Sequence, residues 1–353
     1  MPLESDLRVA VAHRPAFVGA GPDGLVDRAA REDADERRLA AGATRAGGAG
    51  HRAVDEEPDP YRTCFERDLD RIHHSRAFRR LAGKCQVFIA HDDDHLRTRL
   101  THAIEVAQVA TSIARGAGLN VALTAAAATG HDCGHGPAGH ASEDALSPFV
   151  PGGHHHAVHG ADVVLAPLNL CDETLDAIRN HSWNRPAPAT PEGEVVAWAD
   201  RIAYVCHDFE DAVAAGIVAP GDLPAEVVDV VGDRRSRQLG AFIGAMLETI
   251  ADTGTVALRQ PEADALAAFR AFNYERIYLR PEAAEQARRV VALIRSLAEH
   301  FIASPPAGSV AAPGSDEAVA DAVKYVSGMT DRFALDLAVE LLGWDRAALP
   351  RGV

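Results

Sequence analysis

The run VALTAAAATGHDCGHGPAGH, residues 121–140, decides how the rest of the chain is read. Its first nine residues are small and almost wholly apolar, which predicts a short helix suited to a crowded interior. The helix leads into an adjacent His131 and Asp132, followed by a glycine-rich stretch that lets the backbone turn sharply and approach a ligand. Pro137 then restarts a helix on which His140 and Glu143, three residues apart, share a face. A lone His-Asp pair is a weak signal, so its weight rests on its companions.

Those companions lie close by in the chain. Fourteen of the seventeen histidines fall between His73 and His207, and histidine is the commonest metal ligand and acid–base side chain. Leu96, Leu100 and Ile104, then Ala107, Ala110 and Ala114, recur at helical spacing, with Gly116 and Gly118 as the stop. His102 sits on that 96–115 helix one turn after Arg99, so a metal held there has a guanidinium beside it. A helix over 191–215 opens with Thr190 as N-cap and Pro191 at its first position. It carries Asp200, Tyr204 and Asp208 at steps of four, opposite Val195, Ile202, Val205 and Phe209. His102, His131, Asp132 and Asp200 together offer two imidazoles and two carboxylates. That mixed set suits one octahedral divalent ion, Mn²⁺, Fe²⁺, Ni²⁺ or Mg²⁺, better than a closed structural zinc. It leaves positions for water and a phosphate oxygen, the requirement of metal-assisted hydrolysis.

The 353 residues allow one large helical domain or two modest ones. No apolar run approaches a membrane span, the first twenty residues lack a secretory pattern, and the five cysteines form no CxxC pair, so a reduced cytoplasmic protein is expected. A net charge of -16 argues against general nucleic-acid binding. Between Arg62 and Arg99 the sign reverses, with nine Arg/Lys against six Asp/Glu, which suits a polyanionic small substrate. Residues 1–60, rich in Ala, Arg, Asp and Gly, are expected as a flexible charged arm with one helix near 24–40. The catalytic core is expected over 61–303, with helices near 259–275 and 282–302. A loop follows over 304–316, marked by SPPAG and APGS, and the helices of 317–353 (about 317–327 and 331–342) are expected to pack on the core.

Five blocks in order carry a resemblance: RDLDRIHHSRAFRRLAGKCQVF (67–88), RTRLTHAIEVAQVA (97–110), GHDCGHGPAGHASEDAL (130–146), ADRIAYVCHDFEDAV (199–213) and YVSGMTDRFALDL (325–337). The order His, His-Asp, Asp is similar to the HD phosphohydrolase superfamily, and the five blocks resemble its dGTPase-like deoxynucleoside triphosphate triphosphohydrolases. The resemblance implies an all-α HD-domain helical bundle around a central metal site, acting on dNTPs to give deoxynucleoside and triphosphate. It implies a homo-oligomer, hexamers being common among relatives. His140 and Glu143 match the family's catalytic His–acid pair, and His156 a further active-site histidine. The triple His154–His156 leaves that register open by one position. Arg99, His135, Arg201, Tyr204 and Asp208 match contacts to triphosphate or deoxyribose, and Gln86 a contact to the sugar edge. Arg270 and Tyr278 match a more distant block, with a core tyrosine as the alternative at 278. The sequence departs from the family at His154 and His159, where relatives carry an aromatic residue and a glutamine, and at Cys133, which stands for an aliphatic residue. Two rivals remain at this point: another HD enzyme acting on other nucleotides or alarmones, and a nucleotide-binding regulator without turnover.

Overall fold

A helix built from alanine lets its neighbours approach closely, and the architecture grows around such a helix. The computed structural model describes residues 10, 12, 13, 25–89 and 93–350. In chain order the helices are α1 (Arg28–Arg38), α2 (Cys64–His74), α3 (Arg76–Arg80), α4 (Arg99–Ala117), α5 (Val121–Gly130), α6 (His140–Leu146), α7 (His156–His159), α8 (Asp172–Asn180), α9 (Pro191–Ala214), α10 (Ala225–Val231), α11 (Arg235–Thr253), α12 (Gln260–Asn273), α13 (Pro281–Ala303), α14 (Asp316–Ser327) and α15 (Asp331–Leu342). Among the described residues β pairing is confined to two isolated bridges, so the fold is all-α as expected. No helix there is long and apolar enough to cross a membrane.

The alanine helix α5 lies between α2, α4, α8 and α9, with Ala126, Ala127 and Ala128 fully buried. Its neighbours press so closely that a Cβ on Gly130 would meet Ile178 at 2.8 Å. Helix α4 packs on α5 and α9 and is backed by α11, which spreads one apolar core from Ile72 to Phe272. A second core forms around α13, where Leu293, Ile294 and Leu297 meet Leu146 of α6, Val326 of α14 and Ala338 of α15. The catalytic candidates lie where these two cores adjoin. Cys133 is buried in the first core.

The arm expected over residues 1–60 is corrected for its second half. Residues 1–9, 11 and 14–24 of it lie outside the described residues. From 40 onward the segment is docked. Thr44 donates its backbone N–H and hydroxyl to the buried Glu192 carboxylate at 3.0 and 2.7 Å. Arg52 lies under the surface, paired with the fully buried Asp68 at 2.6 Å, and donates to the Cys64 and Asn169 carbonyls. Composition suggested disorder, but two buried carboxylates at the feet of α2 and α9 need donors, and this segment supplies them.

Candidate active site

Three helices bring the metal-ligand candidates together around His131, which groups with His102 and Asp200 on one side and with Asp132 and His181 on the other. His102 leaves α4, His131 and Asp132 follow the end of α5, and Asp200 leaves α9. One Asp200 oxygen is 3.0 Å from His102 Nε2 and 3.6 Å from His131 Nε2. An Asp132 oxygen is 3.5 Å from His131 Nε2. His131 Nδ1 lies 2.7 Å from the Ala128 carbonyl, which can only accept, so Nδ1 carries a hydrogen and Nε2 is the atom turned toward the carboxylates; against burial, their charge raises the His131 pKa to about 9. That buried Nε2 has no hydrogen-bond partner. An orphaned imidazole nitrogen converging with two carboxylates and a second imidazole is the donor set a divalent ion needs. Burial alone would raise the Asp132 pKa, but His131, Arg99 and His135 overcome it and hold the group well below the usual carboxylate range. Asp200 is held low in the same way, against burial, by His102 and His131. Both groups therefore stay anionic and ready to ligate.

A second cluster adjoins the first. Glu143 holds two imidazoles, His140 Nδ1 at 3.0 Å and His156 Nδ1 at 2.6 Å, and also accepts the His156 backbone N–H at 2.7 Å. These hydrogen bonds drive its pKa far down although burial opposes them. His140 is mostly exposed, at 75% of its side chain, whereas His156 is buried, so the pair offers one histidine to the cavity and one as a wall. Of the three histidines at 154–156, His156 is the one that bonds to Glu143. His155 stacks on His156 and meets Asn184 at 3.0 Å on the cavity wall, and His154 packs on His159, which pairs with Ser327. The His156 position depends on Gly134, where a Cβ would overlap the His156 carbonyl at 2.0 Å, so only glycine lets α7 lie against the His-Asp turn. His135 bridges the clusters, 3.1 Å from Asp132 and stacked on His156 with ring centroids 3.7 Å apart.

Both clusters form the floor of a cavity of about 700 Å³. Of the fifteen sequence-derived candidates, all but His131 line it; His131 lies beneath. Arg99, expected at phosphate, is buried and paired with Asp132 at 2.6 Å. The Arg201 guanidinium lies 3.4 Å over the Trp183 ring, and its buried Nε has no partner. Further out, Arg270 donates to Tyr204 and Tyr274 at 3.0 and 3.1 Å, and Tyr278 donates to Asp208 at 2.5 Å. Tyr278 is thus a wall of the cavity, not only a core residue. Burial pushes Asp208 up to about 8, so at neutral pH it carries a proton. Gln86 completes the wall opposite, with a buried unpartnered side-chain oxygen.

Two site residues escaped the sequence reading. His181 directs Nδ1 to the Ile178 carbonyl at 2.8 Å and Nε2 to His156 Nε2 at 3.2 Å, which places it edge-on to His131. Trp183, two residues on, carries Arg201. Both lie between α8 and α9, where the short HSW run (181–183) was the available signal and no periodicity pointed it inward.

Three helices delivering two histidines and two carboxylates beside a histidine–glutamate pair define an HD-type phosphohydrolase. The HD domain family matches residues 99–205, and the phosphohydrolase-associated domain family matches residues 256–340. The chain is 38% identical over 296 residues to a deoxyguanosinetriphosphate triphosphohydrolase-like protein of Caldanaerobacter subterraneus subsp. tengcongensis, covering 80% of this chain and 86% of the relative. It is 39% identical over 260 residues to a protein of the same description from Clostridium perfringens, covering 70% and 76%. It belongs to the deoxyguanosinetriphosphate triphosphohydrolase-like family. A solved hypothetical protein from Aquifex aeolicus shares the fold, with TM-score 0.51 and 16% identity over 80% of this chain and 69% of that one.

Proposed function

We propose that the protein is a metal-dependent triphosphohydrolase that cleaves deoxynucleoside triphosphates to deoxynucleoside and triphosphate. The observation that carries this reading is the junction, in one cavity, of a metal-ligand set, a Glu143-oriented His140, and an Arg201 guanidinium with no carboxylate partner. His102, His131, Asp132 and Asp200 would hold the divalent ion, which when bound neutralises phosphate charge and lowers the pKa of water. His140, fixed through Nδ1 by Glu143, keeps Nε2 free to take the proton of the water that attacks the α-phosphorus. The bond from phosphorus to the 5′-oxygen breaks, and a histidine of the cluster returns a proton to that oxygen. Arg201 would meet the phosphates, with Arg99, paired to Asp132 beside the ligand set, adding positive charge at the same end. The Tyr278–Asp208 pair, with Gln86 across the cavity, takes the deoxyribose 3′-hydroxyl. We keep self-association of the chain as part of this proposal.

Purified protein incubated with each dNTP and Mn²⁺ or Mg²⁺ should give a deoxynucleoside and intact triphosphate by chromatography and phosphorus NMR. Pyrophosphate or single phosphate as the first product would place the attack elsewhere and sink the reading.

A further inference from the structure

The block YVSGMTDRFALDL (325–337) takes no part in the chemistry above, yet it touches the site from the far side. Asp331 opens α15 and lends both carboxylate oxygens to other parts of the chain. One accepts the Ala138 backbone N–H at 2.8 Å, and the other accepts the Cys85 backbone N–H at 2.8 Å. Ala138 is one of two non-glycine residues with positive φ among those described, at 57°, a region that L side chains avoid unless held there. Gly139 follows at φ 60°, and a Cβ there would meet the Arg99 guanidinium at 2.3 Å. The next residue is His140. Beside Asp331, the buried Lys84 ammonium donates to the His135 carbonyl at one end of the same turn and to the Ser327 carbonyl of α14 at 3.0 Å. The Lys84 carbonyl in turn accepts the Arg99 N–H at 3.0 Å, which ties in the start of α4. The packing is close, since a Cβ on Gly83 would meet Thr330 at 2.8 Å.

We infer that Asp331 and Lys84 are positioning residues through which α14 and α15 hold the 135–140 turn, and with it the approach of His140 to the attacking water. The inference rests on the hydrolase reading for its kinetic consequence but not for its structural one. A carboxylate is the group that suits the place, because it is acceptor-only and can satisfy two N–H groups at once. Lysine suits the other side, because an ammonium can serve two carbonyls.

Asp331→Ala should lower turnover by about 10- to 100-fold, the scale of a misplaced catalytic group, with KM and bound metal within about threefold. Adding Ala138→Gly, which adopts positive φ without strain, should recover at least about fivefold of that loss. Asp331→Asn keeps the shape and one acceptor oxygen, so it should fall between the two and covers the case in which alanine does not fold. Hydrogen exchange read by mass spectrometry should show faster exchange in peptides of 84–86 and 134–142 for Asp331→Asn, with the rest of α14 and α15 unchanged. Turnover per folded molecule within about twofold for both variants would overturn the positioning role. So would a loss that Ala138→Gly does not recover, accompanied by exchange rising evenly over α13, α14 and α15. If the unaltered protein hydrolyses no dNTP, the hydrolase reading fails by itself, and the exchange comparison still decides whether Asp331 holds the turn.

Discussion

The two ends of the cavity are built on different principles. At the floor, polar groups are buried and meet one another: His102 with Asp200, His135 with Asp132, Glu143 with two histidines. At the mouth, Arg201 lies on Trp183 and Arg270 on Tyr274, cations held by π faces and hydroxyls with no ion pair among the described residues. Among the described residues the floor gathers paired charge around one imidazole nitrogen, His131 Nε2, that has no hydrogen-bond partner. The mouth leaves positive charge free for a polyanion in a chain whose net charge is -16. Under the proposed function one end would hold the ion and the other would meet the substrate, so damage to each should have different kinetic signatures.

The largest effect should come from emptying the floor. His131→Ala or Asp200→Ala should strip the bound metal and reduce hydrolysis to background, since each removes a ligand that the remaining set cannot replace. Elemental analysis finding a full equivalent of metal in either variant would remove that residue from the ligand set. Next comes the pair beside it. His140→Ala and Glu143→Gln should each cost about 10²- to 10⁴-fold in turnover, the usual scale of general acid–base help, with metal content and dNTP affinity nearly intact. Losses under about tenfold in both, with folding unchanged, would mean that the pair only packs the turn.

The mouth should respond more gently and in a different constant. Trp183→Ala frees the Arg201 guanidinium from the indole, an interaction worth about 0.5–1 kcal/mol at partly exposed sites. KM should rise about two- to fivefold while kcat holds, and a fall in kcat alone would assign Trp183 to the floor instead. The last effect falls on stability and not on rate, through pH. Because Asp208 titrates near 8 in the fold and near 3.8 unfolded, the folded state binds the extra proton between those values. Stability from this group is therefore lost as pH rises from about 4 to 8 and is level above that. The melting temperature of Asp208→Asn relative to the parent should climb over that range, by about 2–4 °C per kcal/mol for a chain of this size. A difference that stays flat from pH 4 to pH 9 would show that the carboxyl is not held neutral.

Much of the fold was legible because helix starts carry local chemistry. Thr190 and Pro191 open α9 as the sequence reads, and α9, α13, α14 and α15 fall within a residue or two of their sequence-derived limits. The floor was legible for a related reason: its four metal-ligand candidates lie on helices or at a helix end, where spacing fixes direction. His181 and Trp183 were not, because they lie between helices and are aimed by a backbone carbonyl and a cation. Asp331 was hidden differently. As the first residue of α15 it has the look of an ordinary helix-start charge, but its partners are 193 and 246 residues away. The docking of residues 40–60 was hidden by composition, since a glycine- and alanine-rich stretch looks the same whether or not buried carboxylates await it.

The buried Arg52–Asp68 pair has a practical bearing on how this chain can be cut. A fragment starting at residue 61 preserves every helix from α2 onward and every catalytic candidate. It would nevertheless leave the Asp68 carboxylate, buried in the intact chain, with the Cys171 N–H and the Thr174 hydroxyl still donating but no cation. It would also strip Glu192 of both Thr44 bonds, leaving it the Asn120 N–H. Removing one partner of a buried pair typically costs about 3–5 kcal/mol, a large part of what holds a domain together. A portion of this protein that keeps both buried carboxylates satisfied therefore begins upstream of Thr44, well outside the stretch in which the catalytic candidates lie.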